Sequence, residues 1–258
     1  MLKGLYTAYT GMVHEQHRMD TLTNNLANSA TVGFKKEGST SQSFNDVLAY
    51  KIKDTTAPAN LPKKLGIMNL GVKIGENYTD YSQGAFRETG ESYDLAIGGD
   101  GFFAIEFTNK AGETSTKYTR DGNFTLTQEG YLTTQEGDYV LSTTGARIRL
   151  NTALPSDIDA GGRIYQNNQL VATIQVTDFA DYNYLEHYGE NYYEPIEGAT
   201  IQAADVKIYQ GYLEQSNVET VQEMVNMIAV SRQYEANQKL IQTYDSSLEI
   251  AVSQLGRV

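Results

Sequence analysis

An α+β chain, with a long helix at each end and a β-rich middle, is what this sequence predicts, and three observations predict it. Only Gly4 and Gly11 interrupt the first 32 residues, and the last 45 are nearly free of Gly and Pro. In both stretches apolar residues recur every seven positions. Between them, turn formers come at short intervals: Gly112, Asp121-Gly122, Glu129-Gly130, Glu136-Gly137, Gly145, Gly161-Gly162 and Asn167-Asn168. That spacing is the signature of a β-meander.

In the first segment Leu5, Met12, Met19 and Leu26 are seven apart, with Leu2, Tyr9, Gln16 and Thr23 three positions before each. This is an a/d heptad pattern and predicts a coiled-coil-like helix. Asn24, Asn25 and Asn28 at helical spacing can hydrogen-bond laterally, while Asn28 and Gly33 suit a helix end in the left-handed region. Residues 35–80 read as an extended connector, because they are polar, hold Pro58 and Pro62, and cluster Ser and Thr. Between positions 35 and 73 this tract carries seven Lys (35, 36, 51, 53, 63, 64, 73) against Glu37, Asp46 and Asp54, a local charge of +4. A solvated loop accounts for it, with acidic neighbours or cell-wall polymer as the alternative.

Residues 81–213 read as one β-rich domain. Phe103, Ile105 and Phe107 share a face, Ile148 and Leu150 oppose Arg147 and Arg149, and Leu170, Ala172, Ile174 and Val176 alternate with Val171, Thr173 and Gln175. Gly99, Gly101 and Asp121-Gly122 are turn chemistry. At the C-terminal end Met227, Tyr234, Ile241, Leu248 and Leu255 repeat every seven residues, with Met224, Ser231, Gln238, Asp245 and Val252 three before. Ser216 followed by Glu219 has the spacing of a capping box and sets the expected helix start. The expected division is therefore 1–34 with 214–258 as a helical domain, 35–80 as connector and 81–213 as the β domain.

At about 1.5 Å per residue the two helices would run roughly 40 and 60 Å, beyond the edge of a compact β domain of about 130 residues. An apolar flank of that length marks an interaction surface, and further copies of the chain are the expected cover. A two-helix core element packed on its own sheet, or a hydrophobic ligand groove, are the alternatives that periodicity leaves open. Gln16, Gln238 and Asp245 on the stripes are expected to fix register.

Composition narrows the function. A net charge of −12 and a pI near 4.7 exclude nucleic acid as a partner. No stretch approaches the roughly 20 apolar residues of a membrane span, and the start of the chain lacks the basic-then-apolar layout of a cleavable signal peptide. The absence of Cys removes disulfides, thiolate catalysis and thiolate metal sites and leaves the compartment open. Catalytic candidates are thin. His14 and His17 lie on one helix without a third ligand, so a polar surface face is expected of them and no metal. His187 sits in the Tyr-rich run 182–193, where aromatic packing is the ordinary reading and a saccharide platform the other. No nucleophile elbow or phosphate-cradling loop stands out, so no catalytic residue and no cofactor is expected.

The run Asn24-Asn25-Leu26-Ala27-Asn28 continuing to Thr31, Gly33 and Phe34 resembles the N-terminal signature of the flagellar axial family of rod, hook and hook-associated proteins. Gly211-Tyr212-Leu213-Glu214, Ser216-Asn217-Val218, Met224-Val225-Asn226-Met227-Ile228 and Arg232 to Asn237 are similar to its C-terminal signature. In the middle, Asp94 to Ile97, Gly99 to Phe103 and Tyr118 to Phe124 look like its β-domain motifs. Length and the Phe44 to Tyr50 run are most similar to distal-rod members, with proximal-rod members second; the Lys-rich stretch from Thr55 to Gly75 departs from both. The resemblance implies a structural, non-catalytic subunit of the basal-body rod outside the cytoplasmic membrane. It implies helical self-assembly through the terminal helices, contact with other rod and hook proteins, and export by the flagellar type III apparatus without a cleaved signal. A hook-like or other secreted filament subunit is the alternative, and a saccharide-binding or cell-wall-acting enzyme a remoter one. Phe44 with Leu48 four residues on looks like the export signal; a core Phe in a short helix or turn is the competing meaning.

Overall fold

The computed structural model describes residues 2–44, 47–51, 63–69, 71–110, 112–189 and 191–255. The chain forms two units, one from Met1–Ala27, Glu37–Asp80 and Glu219–Val258, the other from Asn28–Lys36 and Tyr81–Val218.

The first unit holds helix α1 (Leu2–Ala27) and helix α2 (Thr220–Leu255). They run antiparallel and close together. A Cβ on Gly4 would lie 2.3 Å from Tyr244 Oη and one on Gly11 3.0 Å from Asn237 Nδ2, so seven residues forward on α1 match seven back on α2. The two glycines that break the helical pattern in the sequence are thus where α2 comes nearest, and close approach offsets their poor helix propensity. Helix α2 begins at Thr220 and not at a Ser216 cap, because the Ser216 hydroxyl accepts the Val218 amide in a local turn while Glu219 O takes the first helical bond from Glu223 N.

The heptad positions Leu5, Met12, Met19, Leu26, Met227, Tyr234, Ile241 and Leu248 are all half-buried. Their companions differ from expectation. Tyr9, Gln16, Thr23, Met224, Gln238, Asp245 and Val252 are exposed, so the three polar ones cannot set register between α1 and α2. The covered line is completed by positions three later: Ala8, Glu15 and Leu22 on α1, then Val230, Asn237, Tyr244 and Ala251 on α2. Positions three before and three after a stripe flank it on opposite sides, and a period of seven alone does not say which flank turns inward. The side chain of Leu255 lies outside the described residues.

The expected connector is largely strand and belongs to the helical unit. Glu37–Ser43 pairs antiparallel with Val72–Thr79, and Val47–Lys51 with Lys63–Met68. A second face of α1 packs on this ribbon. A Cβ on Gly71 would sit 2.2 Å from Thr10 Oγ1, and His14 Nε2 bonds Ser41 Oγ at 2.8 Å. His14 is therefore buried, not part of a polar surface, because its ring reaches the strand's hydroxyl.

The second unit is built on a nine-stranded sheet ordered Leu185–Tyr188, Tyr192–Pro195, Thr114–Thr119, Phe102–Thr108, Tyr139–Val140, Leu132–Thr134 and Phe124–Leu126, with Val176–Phe179 also on Phe102–Thr108 and Ile201–Ala203 beyond it. The strand Phe102–Thr108 is covered on both faces. Phe103 joins Leu95, Phe124, Leu132, Ile148 and Ile174 on one side, and Phe102 and Ala104 join Tyr118, Phe179 and Tyr193 on the other. The alternation Phe103, Ile105, Phe107 is real, yet the intervening residues are buried too, since successive side chains serve two cores. Tyr182 and Tyr193 fill the second core with Tyr81 and Phe102, and His187 lies edge-on to Tyr193 at 5.4 Å, so this part of the Tyr-rich run is packing, while Tyr184 and Tyr188 are exposed.

Leu170 to Val176 is not one strand. Gln169–Thr173 completes a three-stranded sheet with Arg163–Gln166 and Ser156–Ile158, while Val176–Phe179 joins the large sheet. Asn167 and Asn168 take φ of 52° and 61°, which a two-residue type I′ hairpin turn requires. A register shift between Ile164 and Tyr165 follows, and Leu170 points out at 56% exposure while Ala172 and Ile174 stay with the core.

Candidate assembly interface

Two features mark where the chain passes into and out of its terminal helices. The first is in the helical unit, where Asn25 is fully buried. Its Oδ1 accepts the Glu37 amide at 2.9 Å and its Nδ2 donates to Glu37 O at 2.7 Å. One side-chain amide thus satisfies both main-chain groups of the residue that opens the ribbon, as a strand partner would. Of the other Asn positions, Asn24 is exposed on α1, Asn28 O accepts the Thr31 amide at 3.2 Å just past the helix, and Asn226 on α2 accepts from Gln222 Nε2 at 3.1 Å.

The second feature is a buried charge cluster in the β unit. Lys35 lies eight residues after α1, Glu214 six before α2, and Arg120 between them in the middle of the chain. All three side chains are at most 2% exposed. Lys35 Nζ donates to Glu214 Oε1 at 2.6 Å and to Ser82 O at 2.8 Å; Arg120 Nη1 donates to Glu214 Oε2 at 3.2 Å and Nη2 to Gly99 O at 2.8 Å. The Gly84 amide adds a bond to Glu214 Oε1 at 3.0 Å, and the Arg120 guanidinium lies 5.3 Å from the centre of the Phe102 ring. Desolvating a carboxylate costs several kcal/mol, which two cations and an amide offset only in this close geometry. Gly33 closes the same neighbourhood. Its φ of 69° suits glycine, its amide donates to Glu214 O at 2.8 Å, and a Cβ there would meet the Arg120 carbonyl carbon at 2.6 Å.

Beside Arg120, burial pushes the Asp121 carboxyl up to about 6, against the pull of the Asn123 amide that donates to it at 2.9 Å. Asn191, which also bonds Asp121, ties Val32 O down at 2.6 Å.

Three family profiles match consecutive parts of the chain. Residues 5–35 match "Flagella basal body rod protein", 96–176 "Flagellar hook protein FlgE/F/G D1 domain", and 209–255 "Flagellar basal body rod FlgEFG protein C-terminal". The flagellar basal-body rod protein FlgG of Bacillus subtilis is 34% identical over 98% of this chain and 99% of its own length. The chain belongs to the flagellar basal-body rod protein family. FlgF of Rhizobium meliloti is likewise 34% identical, over 99% of each chain, and FlgF of Caulobacter vibrioides 33% over the full length of both.

The rod family is a structural component of the flagellum, serving motility and not turnover. Lys35, Arg120 and Glu214 each fall inside or beside a stretch that carries the family resemblance. Sequence reasoning treated Lys35 as part of a solvated basic tract, whereas it is the most deeply paired Lys described. A lone Glu inside the otherwise apolar Tyr212-Leu213-Glu214 was the available signal for a buried carboxylate. Among the described residues no helix is long and apolar enough to cross a membrane.

Replacing Glu214 by Gln keeps the shape and leaves two buried cations unpaired, so unfolding free energy should drop by about 3 to 5 kcal/mol in urea titrations. A loss below about 1 kcal/mol would show the cluster to be solvated. A second test uses Asp121, whose folded carboxyl holds its proton between about pH 4 and 6 where the unfolded one has released it. Its contribution is therefore greatest at low pH and declines as pH rises through about 6. Asp121→Asn should remove this term, so the variant gains on the parent by up to about 3 kcal/mol between pH 4 and pH 7. Parallel stability curves for the two proteins would refute the shift.

Proposed function

We propose that this chain is a basal-body rod subunit that joins further copies through α1 and α2 into a helical tube carrying torque from motor to hook. One observation carries the reading. With α1 and α2 already side by side, a large apolar surface stays uncovered on both: Tyr6, Tyr9 and Val13 on α1, and Val221, Met224, Val225 and Ile228 on α2, each at least 38% exposed. The α2 set follows i, i+3, i+4, i+7 spacing, so it forms one ridge. Such ridges on a soluble chain mark a protein interface. The ridge and the α1 patch differ, so the contact between copies is heterologous and propagates as a filament. Leu5, Met12, Met19, Leu26 and their α2 counterparts then support coiled-coil-like pairing inside each subunit and the margins of the contacts between subunits.

The distal position is favoured over the proximal by chain length and the Phe44 to Tyr50 run. Relatives named FlgG and FlgF reach the same identity, so this choice rests on the chain's own sequence. A hook-like subunit is the second reading, because the profile over 96–176 is described by a hook protein. Other rod and hook proteins are the natural neighbours at the ends of such a tube; cross-linking in purified basal bodies to rod or to hook components separates the two readings.

Val225→Lys combined with Ile228→Lys should abolish sedimentable polymer at concentrations where the parent assembles, with far-UV circular dichroism unchanged. Undiminished assembly of that variant would remove the proposal.

Assembly outside the membrane requires passage through the type III apparatus, and Phe44 and Leu48 are the candidate signal. Phe44 is 38% exposed, with its amide on Gly71 O at 3.0 Å and its carbonyl taking Asn69 Nδ2 at 2.8 Å. Leu48 lies in the strand Val47–Lys51, and its side chain is outside the described residues. Phe44→Ala should therefore cut secretion from flagellated cells about tenfold or more while the purified variant stays folded. Secretion at the parental level would end this assignment.

A further inference from the structure

The uncovered faces of α1 and α2 carry charges as well as apolar residues, and the charges are complementary. On α2, Val221, Val225, Ile228, Arg232 and Glu235 form one stripe at i, i+4, i+7, i+11 and i+14, all exposed. Val225, Ile228, Arg232 and Glu235 each stand two residues before a member of the covered line, namely Met227, Val230, Tyr234 and Asn237. Two residues turn a helix by about 200°, so the stripe points away from α1 of its own chain.

On α1 the corresponding flank is Lys3, Tyr6, Tyr9 and Val13, again all exposed. Tyr9 and Val13 form one wall of an open groove of about 240 Å³, and Phe44 and Ile74 of the ribbon form the other, each of the four at least 37% exposed. Lys3, Arg232 and Glu235 make no ion pair among the described residues. Their spacing matches. Going back along α1 from Val13, Tyr6 is seven residues away and Lys3 three more; going forward along α2 from Val225, Arg232 is seven away and Glu235 three more.

We propose that α2 of a second copy lies antiparallel along this flank of α1, with Val225 on Val13 at the mouth of the groove, Arg232 over the Tyr6 ring and Glu235 against Lys3. The contact rests on the polymerising reading above and gives it a direction, a register and a share for the ribbon. Copies joined by heterologous contacts along a tube all point the same way. With both helices lying along that tube and antiparallel within each chain, α1 of one copy meets α2 of the next antiparallel too. Apolar contact at Val13 and Val225 supplies burial, while the cation over an aromatic face and the opposite charges fix the register.

The test uses the full chain. Lys3→Glu and Glu235→Lys should each weaken association about tenfold in sedimentation velocity at low salt, and the two together in one chain should restore it to within about threefold. The absence of Cys allows a direct check. Mixing Val13→Cys with Val225→Cys protein under mild oxidation should give a disulfide between the two different variants, which forms only if the Cα atoms approach within about 7 Å. Unchanged association in both single reversals, no recovery in the double, or no mixed disulfide overturns the register. Parallel helices with the same Val13 and Val225 contact would instead bring Arg232 to Asp20, seven residues on from each. Loss of association in Asp20→Arg that Arg232→Asp restores therefore overturns the antiparallel direction. If the register fails while Val225→Lys with Ile228→Lys still abolishes polymer, the rod reading stands; polymer that survives that pair removes both.

Discussion

A carboxylate sealed from water beside two cations is the constraint on which the β unit depends. Glu214 belongs to the last strand before α2, Lys35 to the segment after α1, and Arg120 to the loop following Thr114–Thr119. None of the three can be hydrated where it lies, so each requires the other two in place. Three segments remote in sequence are thereby held to one arrangement, and Gly33 and Gly84 are drawn in because their amides address the same glutamate residue. Hydrophobic burial alone would not discriminate so sharply, since a slipped strand can still cover most of its apolar surface.

The helical unit uses the opposite means. There the close approach is made by small and polar residues, Gly4, Ala8 and Gly11 facing Asn237 and Tyr244, while several large apolar side chains are left outside. Asn25 anchors the ribbon to α1 through the main-chain groups of Glu37, and the Ser41 hydroxyl adds a side-chain bond to His14. The Lys-rich composition that looks so unlike a strand is compatible with strand pairing, because the ladder between Val47–Lys51 and Lys63–Met68 is made by the backbone.

What could be read from the sequence divides along the same line. Both terminal helices, the Asn167-Asn168 turn and the β character of the middle follow from local chemistry: glycine spacing, heptads and left-handed turn residues. Which flank of each heptad stripe is covered did not follow, because Tyr9 and Ala8 are equally well placed by period and only a partner helix chooses between them. The split of Leu170 to Val176 into two sheets was hidden for a related reason. Its alternation is perfect, and the bulge that leaves Val171 without an opposite residue between Leu170 and Ala172 appears only once the strand is set against Arg163–Gln166. Lys35, Arg120 and Glu214 were each visible as charged residues in or beside apolar motifs, but pairing across 179 positions cannot be inferred from either end.

The placement of Glu214 also dictates an order of events. A chain that emerges from a ribosome or a narrow channel N-terminus first presents Lys35 early and Arg120 midway, each without its counter-charge, until roughly four fifths of the polypeptide is through. Until then the β unit lacks its central anion and stays incomplete. Completion of that unit is thereby deferred until Glu214 has emerged, when only a short lead-in and α2 remain to follow.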